Sequence, residues 1–205
     1  MKKTIILSLA LSATLAFAEG NATKESNITT EANTTNPNKA IMMEGIKHIK
    51  ILGKALKSEV GKNLKADPTG VKAANFCSER AKDVAKKAMA DFPENIKVRR
   101  TAIKYRNPNN KPDELDLKVM NQLKESMKIE KTKVKPVVIK ADNNTTRVYV
   151  PLIVEKACTK CHGDVKTMNP EVVKIIKEKY PEDKAVGFKV GDFRGVAVAE
   201  IKEKK

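Results

Sequence analysis

Between residues 39 and 65 the apolar positions are Ile41, Ile46, Ile49, Leu52, Leu56, Val60 and Leu64, spacings that hold them on one stripe of a long amphipathic helix. Met42, Met43 and His48 lie in or beside that stripe, and Asp67-Pro68-Thr69-Gly70 ends it. A second helix is expected next, with Val71, Ala74, Cys77, Ala81, Val84, Ala85 and Ala88 on its inward side. The alanines there leave room for a flat group or for tight helix packing. Phe92-Pro93-Glu94-Asn95 reads as a turn, and Ile96 to Arg106 alternates loosely, as an extended segment does. After the loop Asn107 to Pro112, helical spacing returns from Asp113 to Met127 through Leu115, Val119, Met120 and Leu123. Pro136 to Ile139 and Arg147 to Val154 are rich in Val, Ile and Tyr and read as strands joined by a hairpin turn at Asp142 to Thr146. Pro170 to Tyr180 predicts a short helix with proline in its first turn. Val186 to Ile201 ends in a strand, with Gly191, Asp192 and Gly195 shaping the turn before it. Helices, strand, helix, hairpin, helix and strand in that order make an α+β fold.

The N-terminus adds a different kind of segment. Lys2 and Lys3, the apolar run Ile5 to Phe17 and the small-x-small triplet Ala16-Phe17-Ala18 form an export signal cut after Ala18. The run is short for a membrane span, and no later stretch is apolar enough to make one. The mature chain is therefore expected to be soluble and periplasmic. Residues 19–38 carry almost no large apolar side chain, so they cannot offset the entropy of ordering and are expected to be a flexible leader. Residues 39–205 then form one domain. Asn21, Asn27, Asn33 and Asn144 each sit in an acid-x-Asn-x-Thr pattern that resembles the acceptor of bacterial oligosaccharyltransferases. N-glycans at these four positions are an expectation, though a tail rich in Glu, Asn and Thr also generates such triplets by composition.

The formal net charge is +16. Nucleic acid is excluded as the reason: export removes the opportunity, aromatic residues are only 4%, and basic residues alternate with acidic ones. Most of the charge reads as a solvated surface, and an acidic redox protein is the partner it would favour, since complementary charge mainly speeds encounter.

Candidate chemistry centres on Cys158-Thr159-Lys160-Cys161-His162, followed by Gly163. Two cysteines three apart with an adjoining histidine are the attachment signature of a c-type haem: the thiols add across the vinyl groups and the histidine reaches the iron. Such attachment also calls for the cytochrome c maturation machinery as a partner. A zinc site would want further ligands, for which only Cys77 or His48 stands ready, and a thioredoxin-like pair does not require the histidine. The chain has three cysteines, so pairing Cys158 and Cys161 with haem leaves Cys77 alone. A lone exposed thiol in an oxidising compartment is a liability, so Cys77 is expected to be buried, coordinated or both. For the second axial position the residues leave Cys77, His48 and the 7 methionines open, of which only Met168 follows the motif.

Further segments carry a family resemblance. They are Ala74-Asn75-Phe76-Cys77-Ser78, the run Val98 to Asn110, Val150-Pro151-Leu152, the haem motif with Gly163, Tyr180 to Phe188, and Gly191-Asp192-Phe193-Arg194-Gly195. Over most of the mature chain the sequence resembles the PAS-like, single-haem c-type proteins with cysteine/histidine axial ligation, known from cyanobacteria and from sensory portions of bacterial signalling proteins. The resemblance implies one covalent haem c with thioethers at Cys158 and Cys161, iron ligation by His162 and Cys77, and a PAS-like antiparallel sheet with flanking helices. Among Arg99, Arg100 and Arg106, the last two are candidates for pairing with haem propionates, against a solvated or strand-capping role. Tyr105 is a weaker cofactor candidate and reads first as core, while Gly163 lets the backbone turn close to the porphyrin.

Two tasks suit such a protein. One is periplasmic electron transfer. The other is redox or diatomic-gas sensing through a separate partner, which the chain's lack of any kinase, cyclase or output segment disfavours within one polypeptide. Enzymatic chemistry such as peroxidase activity comes third, because the one spare histidine, His48, is far away in sequence.

Overall fold

The structure is a computed structural model and describes residues 37–130 and 134–203. The expected signal peptide and most of the leader, with Asn21, Asn27 and Asn33, lie outside the described residues. A four-stranded antiparallel sheet carries the fold: β1 (Ile96–Thr101), β2 (Val137–Lys140), β3 (Thr145–Ile153) and β4 (Phe193–Lys202), in the order β1-β4-β3-β2. Six helices accompany it: α1 (Pro37–Ala66), α2 (Val71–Glu79), α3 (Ala81–Ala88), α4 (Glu114–Glu130), α5 (Thr159–His162) and α6 (Pro170–Lys179). The fold is α+β. No helix among the described residues is long and apolar enough to cross a membrane.

Strand alternation divides the side chains between two cores. Ile96, Val98, Val148, Ala197 and Ala199 face Ile49, Leu52 and Leu56 of α1. Tyr149, Val196 and Val198 point the other way, against Val119, Met120 and Leu123 of α4. The α1 helix lies close to the sheet at Gly45, where an added Cβ would stand 2.6 Å from the Val148 side chain. Alanine gains about 1 kcal/mol over glycine in a helix, whereas overpacking costs about 1–3 kcal/mol, so the clash should win. Gly45→Ala is expected to destabilise. Gly53→Ala, on the same helix with no neighbour within 4 Å, is expected to stabilise. Urea unfolding of the two variants checks this, and equal effects would contradict it.

The second helix expected from the sequence is two. It breaks at Arg80, which ends α2 and precedes α3. The reason lies in what each half buries. Ala74 of α2 joins Met168, Val172 and Ile176 around α6, while Ala81, Val84 and Ala85 of α3 pack onto the α1 cluster. One straight axis cannot reach both.

The extended segment also ends early, at Thr101 rather than Arg106. Beyond it, the Tyr105 carbonyl accepts from the Lys184 N–H (3.0 Å), and the Lys104 ammonium donates to the Val186 carbonyl. Residues 183–192, expected to lead into the last strand, instead spend part of their backbone on the haem-motif turn, and β4 begins at Phe193.

Arg99 and Arg100 are consecutive on β1 and so face opposite sides. Arg99 forks onto Asp116 of α4, with Nη1 to Oδ2 at 2.7 Å and Nη2 to Oδ1 at 3.0 Å. Asp116 is fully buried and also accepts from the Tyr149 hydroxyl at 3.1 Å and from Arg147 at 3.3 Å. The Arg147 guanidinium reaches Asp113 and Glu200 as well. These ion pairs fasten α4 to the sheet on the side away from the α1 core.

Candidate functional site

β3 runs into a 3-10 turn, Lys156–Cys158, and then into the single turn of α5 that carries Cys161 and His162. Gly163 ends that turn with its N–H donating to the Thr159 carbonyl, and a Cβ there would sit 2.5 Å from the Thr159 oxygen. Only glycine lets the chain leave so tightly. The turn is then sewn to the loop at 183–188. Gly187 donates its N–H to the Gly163 carbonyl (2.7 Å) and Phe188 to the His162 carbonyl (2.9 Å).

His162 is oriented by the same loop. Its Nδ1 lies 2.7 Å from the Ala185 carbonyl, which can only accept, so Nδ1 carries the proton and Nε2 keeps its lone pair. Burial, followed by the nearby Arg106 and Arg194, pushes the imidazole pKa down to about 3. The ring is therefore neutral, with one nitrogen tied down and the other available as a donor to a metal.

Arg106 holds this arrangement from behind. Its guanidinium pairs with Asp183 at 3.1 Å and donates to the carbonyls of Cys161 (2.7 Å) and Ala185 (3.2 Å). Nε and Nη2 make these bonds, so Arg106 braces the loop that orients His162 in addition to the propionate pairing considered from the sequence. Arg106→Lys keeps the charge but loses the fork, and is expected to cost about 1.5–3 kcal/mol, the range for hydrogen bonds to charged groups. A urea-denaturation loss under about 0.5 kcal/mol would overturn the brace.

Cys77 is not buried. Its side chain is exposed, yet surrounding protein desolvates the thiol enough to raise its pKa, against the opposing pull of Arg100 and Arg106. Arg100 is likewise exposed, with burial lowering its pKa and Cys77 the first charge opposing that. The Tyr180 hydroxyl at the end of α6 donates to the Cys77 carbonyl at 3.1 Å and ties α2 in place. Cys161 feels Cys77 and Cys158 as neighbours, and its thiol is pushed up to about 11, chiefly by burial. Cys77, Cys158, Cys161, His162 and Arg100 therefore stand within electrostatic reach of one another.

Arg194 was not among the residues singled out from the sequence, although it lies in the Gly191 to Gly195 series. Burial and the charges of Arg106 and Arg100 lower its pKa to about 10. It donates to the Lys104 carbonyl (2.9 Å), and its Cζ stands 5.2 Å from the centre of the Phe188 ring. Phe188 meets His162 edge-on at 6.4 Å. Asp183, Ala185 and Phe188 lie in the Tyr180 to Phe188 segment that carried the resemblance, but no role was read for them, since hydrogen bonding back across α6 has no periodicity.

The other candidates are occupied elsewhere. His48 donates from Nδ1 to the Glu44 carbonyl at 2.9 Å and stacks edge-on against Phe92 at 4.6 Å. Met168 is buried among Ala74, Val172 and Ile176. Tyr105 is core, as first read, with its hydroxyl 3.2 Å from the Lys184 ammonium. Among the described residues no three His, Cys, Asp or Glu side chains gather as a metal site.

The family model described as Tll0287-like matches residues 12–201. The chain is also similar to a solved protein, the cyanobacterial heme-protein Tll0287, at 25% identity and a TM-score of 0.57, over 83% of this chain and 99% of that one. No curated protein matches.

Proposed function

The chain belongs to the Tll0287-like family, and from that premise we propose that it binds one haem covalently and carries electrons in the periplasm. The observation that carries the proposal is the His162 imidazole, neutral, with Nδ1 tied to Ala185 and Nε2 left to donate. Orientation of a metal-bound histidine through its other nitrogen is the usual second-shell arrangement. The donor set fits the group in two more respects. Cys77, Cys158 and Cys161 stand within electrostatic reach of one another, and Arg100 and Arg194 bring positive charge near them that an anionic porphyrin would balance.

In this reading Cys158 and Cys161 would hold the haem through thioethers, each thiol adding S–H across a vinyl double bond with the help of the maturation machinery. His162 and Cys77 would hold the iron. Haem so held supplies an iron that cycles between ferric and ferrous states. Arg100, beside Cys77, favours its thiolate, and Arg106 keeps Ala185 where His162 needs it. We read the sheet with its flanking helices as PAS-like.

Intact mass of protein from the native host tests attachment: the Cys158–His162 peptide should carry one haem, and a haem-free peptide would sink the proposal. The same spectrum reports on glycosylation. Asn144 is exposed at the β2–β3 hairpin, with its N–H on Asp142 at 2.8 Å, and a mass equal to the holoprotein alone would exclude N-glycans.

Sensing is the second reading, in which a diatomic gas would displace Cys77 from the iron. Carbon monoxide and nitric oxide titrations separate the two: unchanged spectra in both redox states support pure electron transfer. Support for a carrier over a peroxidase comes from His48, which is spent on Glu44 and Phe92.

A further inference from the structure

Exposed large apolar side chains are few, and four of those among the described residues gather where the haem motif meets the loops: Val190 at 62% exposure, Ile153 at 41%, Val165 at 39% and Ile103 at 37%. Backbone hydrogen bonds make them neighbours. Val154 exchanges N–H and carbonyl bonds with Asp192 and Gly191, both 2.9 Å, which sets Ile153 beside the Val190 turn. The Gly187–Gly163 bond brings Val165 to the same loop, and Arg194 on the Lys104 carbonyl adds Ile103. An exposed apolar patch of this kind marks a contact surface.

The patch has a charged rim. Lys156, Lys160, Lys166 and Lys189 are all exposed around it, and none forms an ion pair with a carboxylate among the described residues. Of the acids nearby, Glu155 pairs with Lys57 at 2.6 Å, while Asp164 and Asp192, themselves exposed, accept from the backbone N–H groups of Lys166 (3.0 Å) and Lys189 (2.7 Å), which leaves the rim net positive. An apolar centre within a polar rim is the anatomy of a protein–protein contact.

We infer that this face is the docking surface for an acidic electron-exchange protein, whose carboxylates meet the lysine rim while a small apolar spot covers Val190 and Ile153. The inference rests on the haem reading above. It commits to this one face, over the motif, rather than to the chain's general positive charge, and it predicts that position outweighs net charge.

The probe is an acidic flavodoxin, with its hydroquinone reducing the ferric holoprotein in anaerobic stopped flow. The rate should fall with ionic strength. Lys189→Glu and Val190→Asp should each slow it about three- to tenfold at low salt, within the span electrostatic steering commands. Lys140→Glu makes the same charge change as Lys189→Glu at the far end of the sheet, opposite Thr146, and should leave the rate within about 1.5-fold, since screening confines such effects to roughly 10 Å. All three positions are exposed, so folding is not at stake. Equal slowing by Lys189→Glu and Lys140→Glu would overturn the surface, and so would a rate indifferent to salt. Loss of the haem spectrum from the unmodified protein would instead overturn the haem reading.

Discussion

Cys77→Ala is expected to leave haem attached through Cys158 and Cys161 while abolishing the ferric low-spin spectrum and raising the reduction potential. The direction follows from charge. A thiolate places a negative charge on the iron and stabilises the ferric state, so its removal favours reduction. Axial ligation spans roughly 0.8 V, and a rise on the order of 0.1 V or more is the expected size on that scale. Arg100 favours the thiolate by lowering the Cys77 pKa, against the larger pull of burial. Visible and electron paramagnetic resonance spectra of the purified variant, with a redox titration, decide the matter. An unchanged spectrum would take Cys77 off the iron. A protein with no covalent haem would show that Cys77 acts earlier, in folding or attachment.

Asp116→Ala should be the most destabilising single change in the sheet and helix framework. Asp116 is fully buried and engages Arg99 through both oxygens, with Arg147 and Tyr149 added. Deleting it leaves the Arg99 and Arg147 charges and the Tyr149 hydroxyl without the carboxylate they converge on. Breaking such a group from one side costs about 3–5 kcal/mol, because the surviving charges keep their desolvation penalty. Arg99 is a third exposed on its side chain and can recover some hydration, so the lower end of the range is the firmer expectation. Urea or thermal unfolding measures it. A loss under about 1 kcal/mol would mean that water takes over the carboxylate's role.

These two residues differ in how visible they were. Cys77 stood out by arithmetic, as the odd cysteine beside a paired motif. The alternation rule carried more than it was asked to. Adjacent Arg99 and Arg100 must face opposite sides of β1, and one goes to α4 while the other stands near Cys77. Asp116, by contrast, reads in sequence as an ordinary acid in the first turn of a helix. Its burial depends on α4 lying across strands far away along the chain. Helix content, the hairpin and the last strand were legible because their periodicity is local. The break at Arg80 was not, since Ala74 and Ala85 look alike until their separate partners are known.

What the sequence determined alone is covalent pattern and local order: the spacing of Cys158, Cys161 and His162, the glycine after them, and the stripes that make α1 a helix and β3 a strand. Those properties reside in neighbouring residues and need no partner. The tertiary structure decided which nitrogen of His162 is free, that Arg106 braces its loop, and that Cys77 stands within electrostatic reach of Arg100 and of Cys161 in the motif. Each of these depends on hydrogen bonds and charges between segments distant in the chain, and such contacts come into being only when the chain folds.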